Sequence, residues 1–493
     1  MNLLEEKPQV TPETTPKKPK RQKRRVSLLI YISSTLLAFF VGIFLTILVV
    51  GLNNRTSQSL DTSTAGFSKI SQVYQTISQQ YYRKTDKTKL INGAIKGMIN
   101  SLDDPYSEYL AGSDASDLDN TISGSFEGIG AEIQKKGNYI EIVSPIAGSP
   151  AKKAGLKAND VITAINGKST AGWSATKATN QIRGKKNTKV TLTIKRGKQS
   201  FKVNLKRDVI PVKTVNARID KTHPTVGYIQ ITSFSEPTFK EVKAAITKLR
   251  KQGAKSFVLD VRSNPGGIMQ QALKISSMFV ANGKPLMQVK ARTGAATVYK
   301  AGKSQDGGFK VKEPVKVLID DGSASASEIF AAALNQSANV ELIGTKSFGK
   351  GTVQQVSQLD KHSEFKITVA KWLTPNGSWI NKRGLTPNIT AKYPSYAYLP
   401  VVSDKKTYQL DDVSSKIKTL QKELKAVGQD PGTINGYFST TTQQAVTAFQ
   451  AANDLDQTGK LDTATIDKLQ TMITKKISDN DVAYNKAVEQ LSK

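Results

Sequence analysis

The sequence predicts a multidomain α/β protein with a single amino-terminal transmembrane helix, a helical segment, a β-rich domain, an α/β core and a small all-α carboxyl-terminal module. Its length of 493 residues exceeds what one hydrophobic core can organise, so several domains are expected. Residues 26–52 form an apolar run without a charged residue. From Val226 onward, apolar strands alternate with helical patterns, and this alternation is typical of a layered α/β core.

The amino terminus predicts the cellular location. Residues 1–25 are polar and end in a cluster of lysines and arginines, and residues 26–52 would extend about 40 Å as a helix. That length is sufficient to cross a hydrocarbon core of about 30 Å. Because the basic flank precedes the span, residues 1–25 are expected in the cytoplasm and the chain beyond Asn53 outside the cell. A good signal-peptidase site is missing after the span. We therefore expect a single-pass cell-membrane anchor with the rest of the chain extracellular.

The composition excludes several kinds of chemistry. The chain has no cysteine, so disulfides, cysteine nucleophiles and thiolate metal sites are ruled out. Its two histidines, His223 and His362, lack the spacing of a zinc site, and no metal or cofactor is expected. The net charge of +31 indicates either a basic solvated surface or attraction to anionic lipid or cell-wall polymer. No nucleic-acid fold signature accompanies this charge, so nucleic acid is not an expected partner.

Changes in residue pattern divide the exported part. Apolar residues at helical spacing, such as Phe67, Ile70 and Val73, predict a helical amino-terminal segment, and short strands with Gly/Asn turns follow it. Two similar helix-and-glycine-turn halves near the carboxyl end suggest an internal duplication. The predicted segments are a stalk (53–66), a helical segment (67–122), a β-rich domain (123–208), the α/β core (209–394), a linker (395–411), a helical module (412–475) and a polar tail (476–493).

The run DDGSASASEI, from Asp320 to Ile329, is the sharpest chemical signal. It follows an apolar strand and opens an alanine-rich helix, and a serine at such a turn exposes its hydroxyl beside free backbone N–H groups that can hold an oxyanion. The alternative is an ordinary helix cap in which Glu328 supports a serine. Three alternating serines exceed what a cap requires, so a partner for Ser325 has to be sought.

A serine nucleophile needs a base, and lysine is the remaining choice because the histidines have no supporting arrangement. Burial can lower the pKa of a lysine enough for this role. Lys350 lies between two glycines in GTKSFGKGTVQQ, which begins at Gly344; the alternative is one more solvated lysine. The loop also matches GxxxxGK, but Gly351 stands where a phosphate-binding loop requires Ser or Thr. It matches SxxK as well, although the companion motifs of penicillin-binding enzymes are absent.

A third element is DVRSNPGGI, which begins at Asp260 and lies between a predicted strand and helix. Its glycine pair, Gly266 and Gly267, can point N–H groups outward toward a bound carbonyl. The alternative interpretation is a plain turn.

Together, SASASEI, FGKGTVQ and the strand ending in DVRSNPGG closely resemble the carboxyl-terminal processing, or tail-specific, serine protease family. The resemblance extends from SLDDPYS, which begins at Ser101, to about Ile389. It implies that Ser325 is the nucleophile and Lys350 its base, and that Gln354 orients the lysine.

The same resemblance implies the surroundings of this Ser-Lys dyad. The oxyanion hole would consist of the backbone N–H groups of Ala326 and of Gly266 or Gly267. The catalytic core would have a crotonase/ClpP-like α/β fold. Members of that family often dimerise through terminal helices, so a homodimer is also implied.

Residues 123–208 resemble the PDZ domain that precedes the core in that family. The run FEGIGAEI, which begins at Phe126, is similar to its carboxylate-binding loop, where consecutive N–H groups capture a free C-terminus while the peptide adds a strand. This implies substrates with a free C-terminus. Arg183 is either a relay between the PDZ-like domain and the active site or an ordinary surface arginine. The substrate-binding residues implied are Gly128, Ile129, Gly130 and Ala131.

Residues 412–475 resemble the small helical peptidoglycan-binding module, with NGYF and AVTAFQ among its matching runs. Peptidoglycan or an anionic cell wall is therefore an expected partner; the alternative is a protein-docking or purely structural module. A catalytically inactive PDZ scaffold would not require Ser325, Lys350 and Gln354 together, and a wall hydrolase would require zinc ligands or a cysteine. We therefore predict an envelope endopeptidase that processes or degrades proteins.

Overall fold

The structure is a computed structural model that describes residues 61–360, 363–402 and 406–492. The chain forms two compact units, which divide at Gly97. Within the described residues, no helix is both long and apolar enough to cross a membrane. The predicted span at 26–52 and the basic tail at 1–25 lie outside those residues.

The amino-terminal unit contains helix α1 (Asp61–Gln80) and most of helix α2 (Lys87–Asn100). The first helix begins within the segment predicted as a stalk. The apolar residues that predicted it, such as Phe67 and Val73, are exposed. The helical periodicity therefore predicts the helix correctly. The apolar face of this helix, however, is not buried by any part of the chain that the structure describes.

The second unit begins with a segment that corrects the helical prediction for residues 67–122. A strand interrupts the helices there, because Tyr109 and Leu110 are buried and this segment pairs with a strand of the α/β core. The elements are strand β1 (Glu108–Ala111), helix α3 (Ser113–Ser123) and strand β2 (Ser125–Gly128).

The β-rich domain is a sheet of six strands with two helices packed on it. Five strands follow the order β3-β4-β5-β7-β8, and β6 pairs with β5 through a turn at Asn166 and Gly167, both of which have positive φ. A ninth strand pairs with β2 and closes the domain. The elements are β3 (Ala131–Lys136), β4 (Tyr139–Pro145), α4 (Pro150–Lys153), β5 (Val161–Ile165), β6 (Lys168–Ser169), α5 (Ala175–Ile182), β7 (Lys189–Arg196), β8 (Gln199–Lys206) and β9 (Asp208–Pro211).

The core consists of alternating strands and helices followed by a long hairpin. Its elements are β10 (Val215–Ile219), β11 (Val226–Ile231), α6 (Thr238–Lys251), β12 (Ser256–Asp260), α7 (Met269–Phe279), β13 (Pro285–Ala291), β14 (Thr297–Lys300), α8 (Lys303–Asp306), β15 (Val315–Ile319), α9 (Ala326–Ala338), β16 (Leu342–Gly344), β17 (Thr352–Asp360), β18 (Ser363–Leu373) and β19 (Ile389–Thr390).

Two sheets organise this core. The first has the order β10-β11-β12-β15-β16-β19 and is parallel except for the β10–β11 pair. Helices α6, α7 and α9 bury their apolar sides in the main core cluster. The second sheet is antiparallel, with the order β1-β18-β13-β14 and β17 also on β18. Because β1 pairs with β18 in the register Glu108↔Lys366, the residues just before β1 are brought beside the hairpin.

The carboxyl-terminal module has its own apolar core, and this core extends into the predicted linker. Val402 and Tyr408 are buried in it, so residues 395–411 are partly structural. A short 3-10 turn (Ser395–Tyr398) lies in the same segment. The helices are α10 (Ser415–Ala426), α11 (Thr440–Ala452), α12 (Thr463–Asp479) and α13 (Val482–Leu491).

The two halves of the module share one hydrogen-bond arrangement. In the first half, Gln421 Oε1 accepts from the N–H of Gly436, and Gln421 Nε2 donates to Thr442 Oγ1. In the second half, the corresponding bonds join Gln450 to the N–H of Gly459 and to Thr465 Oγ1. This arrangement agrees with the suggested duplication.

The predicted polar tail at 476–493 is helical in the structure and packs against the sheet, a contact that the prediction did not include. Helix α12 continues to Asp479, and α13 packs on the face of the parallel sheet that α6, α7 and α9 leave uncovered. The polar composition concealed this, because only one side of a short helix has to be apolar for burial. The cluster contains Val226, Val258, Leu318, Ile343, Ala391, Ala483, Tyr484, Ala487 and Val488.

Candidate active site

Ser325 lies at the junction between strand β15 and helix α9. It is the residue before the first helical turn, and its backbone has φ 55° and ψ −112°. A positive φ is unusual for a residue with a side chain and is often found at functional sites. Ser325 is half-buried, whereas Ser323 and Ser327 are fully buried. Only the middle serine of the motif is therefore partly open to solvent.

The two outer serines connect the start of α9 to the glycine-rich loop. Ser323 Oγ donates to the carbonyl of Val261 at 2.8 Å, and Ser327 Oγ donates to the carbonyl of Asn264 at the same distance. The N–H of Ala324 also donates to the carbonyl of Asn264. The alternation of three serines thus has a structural basis: the outer hydroxyls bind the loop, and the middle one does not.

Glu328 joins the nucleophile segment to the lysine loop. Its fully buried carboxylate accepts the N–H of Ser325 at 2.9 Å, as the capping interpretation predicted. It also accepts the N–H of Gly349 at 2.7 Å, the N–H of Lys350 at 2.9 Å and the hydroxyl of Ser347 at 2.6 Å. One side chain therefore sets the distance between the backbones that carry Ser325 and Lys350.

Lys350 is half-buried. Burial lowers the pKa of its amine, and the positive charge of Lys366 lowers it further, against the opposing effect of Asp104, Glu108 and Glu328. In the described part of the chain, no hydrogen bond joins Lys350 Nζ to Ser325 or to any other residue. Its amine instead lies 4.6 Å from the centre of the Tyr106 ring.

The segment before β1 forms a wall of the site that sequence reasoning missed. The Asp104 carboxylate accepts the hydroxyl of Ser107 at 2.6 Å and the N–H of Tyr106 at 3.2 Å. Burial alone would raise the pKa of Asp104, but bonds from Ser107 and Thr368 and the charge of Lys350 hold it below the ordinary value. The sequence contains a signal for this wall, because SLDDPYS lies at the start of the region that resembles the protease family.

Gln354 lies on β17, close to this wall. Its amide nitrogen donates to Thr352 Oγ1 at 2.9 Å and to Thr368 Oγ1 at 3.1 Å. It makes no hydrogen bond with Lys350 among the described residues. The structure therefore places the predicted orienting residue in the same region as Lys350 without joining the two.

The glycine-rich loop lies directly against Ser325. A side chain at Gly266 would come within 2.9 Å of the Ala326 nitrogen and of Ser325 Cβ, so only glycine fits. Gly266 and Gly267 were predicted as alternative oxyanion donors beside Ala326. The N–H of Gly266 already donates to Asn264 Oδ1 at 2.9 Å. The N–H groups of Gly267 and Ala326 have no acceptor within the described residues.

The predicted carboxylate-binding loop joins β2 to β3, with Gly128 at the end of one strand and Ala131 at the start of the other. The N–H groups of Ile129 and Gly130 have no acceptor among residues that the structure describes. Gly130 has φ 71°, and a side chain there would come within 2.4 Å of Ser149 Cβ. The loop can therefore present consecutive free N–H groups.

A series of contacts leads from this domain toward the glycine-rich loop. The Arg183 guanidinium lies 5.3 Å from the centre of the Phe126 ring and pairs with Asp117 of α3 at 3.2 Å. Further along α3, the carbonyl of Thr121 accepts the hydroxyl of Ser235 at 2.6 Å. The N–H of the adjacent residue, Phe234, donates to the Gly266 carbonyl. Arg183 thus lies at the domain junction, and both interpretations of this residue stay open.

The described residues contain no group of three or more acidic or histidine side chains close enough to hold a metal ion.

Comparison with known families accounts for most of the chain. Residues 225–391 match peptidase family S41, and residues 119–195 match the PDZ domain. Residues 49–113 match the amino-terminal domain of the activating protease CtpB, and residues 413–469 match the putative peptidoglycan binding domain.

Individual relatives extend over nearly the whole chain. The chain is 46% identical to the carboxy-terminal processing protease CtpA of Bacillus subtilis over 473 residues, which cover 96% of this chain and 99% of that protein. It is 41% identical to CtpB of the same organism, over 88% of this chain and 91% of the relative. A solved photosystem II D1 C-terminal processing protease is 27% identical, covers 67% of this chain and 93% of its own, and has a TM-score of 0.39. The chain therefore belongs to the carboxy-terminal processing proteases of peptidase family S41, which are serine-type proteases, and carries a PDZ domain and a peptidoglycan-binding-like domain.

Proposed function

We propose that this protein is a membrane-anchored, extracytoplasmic endopeptidase in which Ser325 is the nucleophile and Lys350 its base. The observation that carries the proposal is the Glu328 carboxylate, which holds the backbones of both residues. The half-exposed position of Ser325 at a helix start supports the same roles, because free N–H groups surround it.

The chemistry follows from these positions. Neutral Lys350 accepts the hydroxyl proton while Ser325 Oγ attacks the substrate carbonyl. The N–H groups of Gly267 and Ala326 stabilise the oxyanion that develops. Collapse of the intermediate gives a serine ester and releases the amine product, which takes the proton from Lys350. A water molecule then attacks the ester while Lys350 accepts one of its protons. The bond between the acyl carbon and Ser325 Oγ breaks, the carboxylic acid product leaves, and Lys350 returns the proton to Ser325 Oγ. This cycle requires the amine to leave the Tyr106 ring and reach Ser325.

Substitution of the proposed dyad tests this function. Ser325→Ala and Lys350→Arg should each lower kcat/KM for peptide cleavage by at least about a thousandfold. The first removes the attacking hydroxyl, and the second replaces the amine with a group that stays charged. Matched controls are Ser304→Ala on α8 and Lys346→Ala in the same loop, both at exposed positions. Near-normal turnover in Lys350→Arg would overturn the assignment of the base.

Recognition of substrate C-termini by the PDZ domain forms the second part of the proposal. The free N–H groups of Ile129 and Gly130 can bind a terminal carboxylate, and β3 offers an edge for the rest of the peptide. A peptide with a free C-terminus should be cleaved with a lower KM than its amidated counterpart, since amidation removes the charge. Equal KM values for the two peptides would argue against this route.

Attachment to the cell envelope is the third part. The apolar run at 26–52 supports a membrane anchor, and the duplicated module supports peptidoglycan binding. A fragment of residues 395–480, which includes the buried Val402 and Tyr408, should sediment with purified peptidoglycan at high salt, where exposed charges are screened. Binding that disappears at high salt would indicate electrostatic attraction alone.

The full-length chain should appear in the membrane fraction, and removal of residues 1–52 should release it. The homodimer stays a prediction.

A further inference from the structure

The amine of Lys350 lacks the partners that a buried ammonium normally has. A charged group removed from water is usually paired or hydrogen-bonded, because its desolvation is costly. Among the described residues, Lys350 Nζ has no hydrogen-bond acceptor, and its close contact is the face of the Tyr106 ring at 4.6 Å. The negative face of an aromatic ring attracts a cation at this distance.

The position of Tyr106 is fixed from both sides. On the preceding side, its N–H is bound by the Asp104 carboxylate, which also accepts the Ser107 hydroxyl. On the following side, Ser107 Oγ accepts the N–H of Thr368 at 3.0 Å, and strand β1 then pairs with β18. The ring is therefore held by the sheet beside Lys350.

We propose that Tyr106 is a positioning residue for Lys350: its ring holds the protonated amine in the resting enzyme, away from a hydrogen bond with Ser325. The inference rests on the proposed role of Lys350 as base. When the amine loses its proton to solvent, its attraction to the ring is lost, and the neutral amine is free to accept the proton of Ser325. The ring thus determines how much of the lysine is held in the inactive, protonated form at a given pH.

The other charged groups around Lys350 act in both directions. Burial and the positive charge of Lys366 on β18 favour the neutral amine, and carboxylates of the β1 segment and α9 favour the ammonium. Replacing Tyr106 leaves all of these charges in place. The carboxylates are Asp104, Glu108 and Glu328.

The test is the pH dependence of kcat/KM in ring variants of the full-length enzyme. Tyr106→Phe keeps the ring, so its kcat/KM should rise over the same pH range as that of the wild type. Tyr106→Leu removes the ring's attraction for the cation, so its activity should rise at a pH lower by about half to one unit. At a pH below this rise, its kcat/KM should exceed the wild-type value by about three- to tenfold. Fluorinated phenylalanine at position 106 has nearly the shape of Phe and a weakened ring face, and should shift activity in the same direction as Leu.

The outcomes separate this inference from the proposed function. If Lys350→Ala retains normal activity, the base assignment fails and the inference fails with it. If Lys350→Ala is inactive but the Leu and fluorinated variants keep the wild-type pH profile, only the role of Tyr106 is wrong. A shift of the Leu variant to higher pH would also overturn it, since water entry would then dominate. Thermal unfolding checks that each variant is folded. If Tyr106→Leu is unfolded, the comparison between Phe and fluorinated Phe at position 106, which have nearly the same shape, tests the role of the ring instead.

Discussion

Glu328 is a buried carboxylate whose hydrogen bonds within the described chain all come from N–H and hydroxyl groups. It accepts from Ser325, Ser347, Gly349 and Lys350, and these residues belong to two loops that follow different strands of the parallel sheet. A carboxylate can accept several such bonds because it has two oxygens and no proton of its own. The charge of Glu328 thus has a geometric role, which is to hold the loop of the proposed base against the proposed nucleophile.

Glu328→Gln should disrupt this junction while keeping the side-chain shape. The amide nitrogen would face N–H groups, so at least one buried donor would lose its acceptor, and the free energy of unfolding should fall by roughly 2–4 kcal/mol. We expect kcat to fall at least about tenfold, because the two loops lose their common partner. The control is Glu341→Gln, a half-exposed partner of Lys316 that should change stability by less than about 1 kcal/mol. Wild-type values of kcat and stability in Glu328→Gln would contradict this role.

Lys350→Met should stabilise the protein while abolishing activity. Burial lowers the pKa of Lys350 in the folded state, so folding is penalised at any pH below that value, where both states carry the proton. Met removes the penalty and keeps the apolar stem, and the melting temperature near pH 7 should rise by about 2–4 °C. The advantage should shrink as pH rises toward the unfolded-state pKa near 10.5, because the wild-type folded lysine is then neutral. Lys346→Met at the exposed neighbour is the control. A lower melting temperature for Lys350→Met at pH 7 would refute the argument.

Helix α9 and the glycine-rich loop act as one element because the outer serines connect them. Ser323 binds the start of the loop at Val261, and Ser327 binds its middle at Asn264. The loop then brings Gly266 against Ser325, where a side chain could not fit. The oxyanion site proposed here therefore depends on contacts between two elements, and neither element forms it alone.

Substituting these serines should weaken the site without removing the proposed nucleophile. Ser327→Ala loses one buried hydrogen bond, whereas Ser323→Ala loses the bond to Val261 and also the bonds that join Ser323 Oγ to Asp320. Stability should fall by about 1 kcal/mol in Ser327→Ala and by about 1–3 kcal/mol in Ser323→Ala, and kcat/KM by about tenfold in each, far less than in Ser325→Ala. Ser337→Ala is a matched control, since Ser337 lies on the same helix and donates to the carbonyl of Pro285, away from the site. If all three variants lost stability equally and none lost activity, the serines would have a structural role only.

Across the whole molecule, the carboxyl-terminal helix α13 completes the protease core. Arg262, at the start of the glycine-rich loop, donates to Asp260 and to Asp481, the capping residue of α13. It also donates to the hydroxyl of Tyr393 at 2.9 Å. Burial would lower the pKa of Arg262, but the two carboxylates raise it well above the ordinary value, so the pair stays charged. The end of the chain is thus connected to the loop beside Ser325.

Asp481→Ala should release this connection. It removes a bidentate partner of the largely buried Arg262 and the cap of α13, so the free energy of unfolding should fall by roughly 3–5 kcal/mol. Activity should fall as well, because Arg262 begins the loop that contains Gly267. Asp479→Ala, at an exposed position two residues earlier, is the control and should change little. Denaturant unfolding and peptide cleavage measure both effects. Unchanged stability in Asp481→Ala would mean that α13 does not depend on the ion pair.

Much of this organisation was predictable, and the reason differs between elements. The strand β15 and the helix after Ser325 follow from local periodicity and from the residues at their junction. Gly130 was predicted only through the resemblance to a PDZ domain, and its positive φ and close approach to Ser149 came from the structure. The strand β1 was missed because its apolar residues become a strand only when β18 provides an edge. The packing of α13 was missed because one buried side of a short helix leaves a mostly polar sequence.

The sequence by itself determined the family, the order of the domains and the residues proposed for catalysis, because these depend on motifs whose members are close in the chain. Tertiary structure alone decided that Tyr106 lies on Lys350, that Glu328 holds two loops and that Asp481 binds Arg262. Apart from the local bond between Glu328 and Ser325, each of these contacts joins residues distant in the chain, and local patterns carry no information about such pairs. Packing of the sheets brings them together, and only then do burial and charge act on the proposed base.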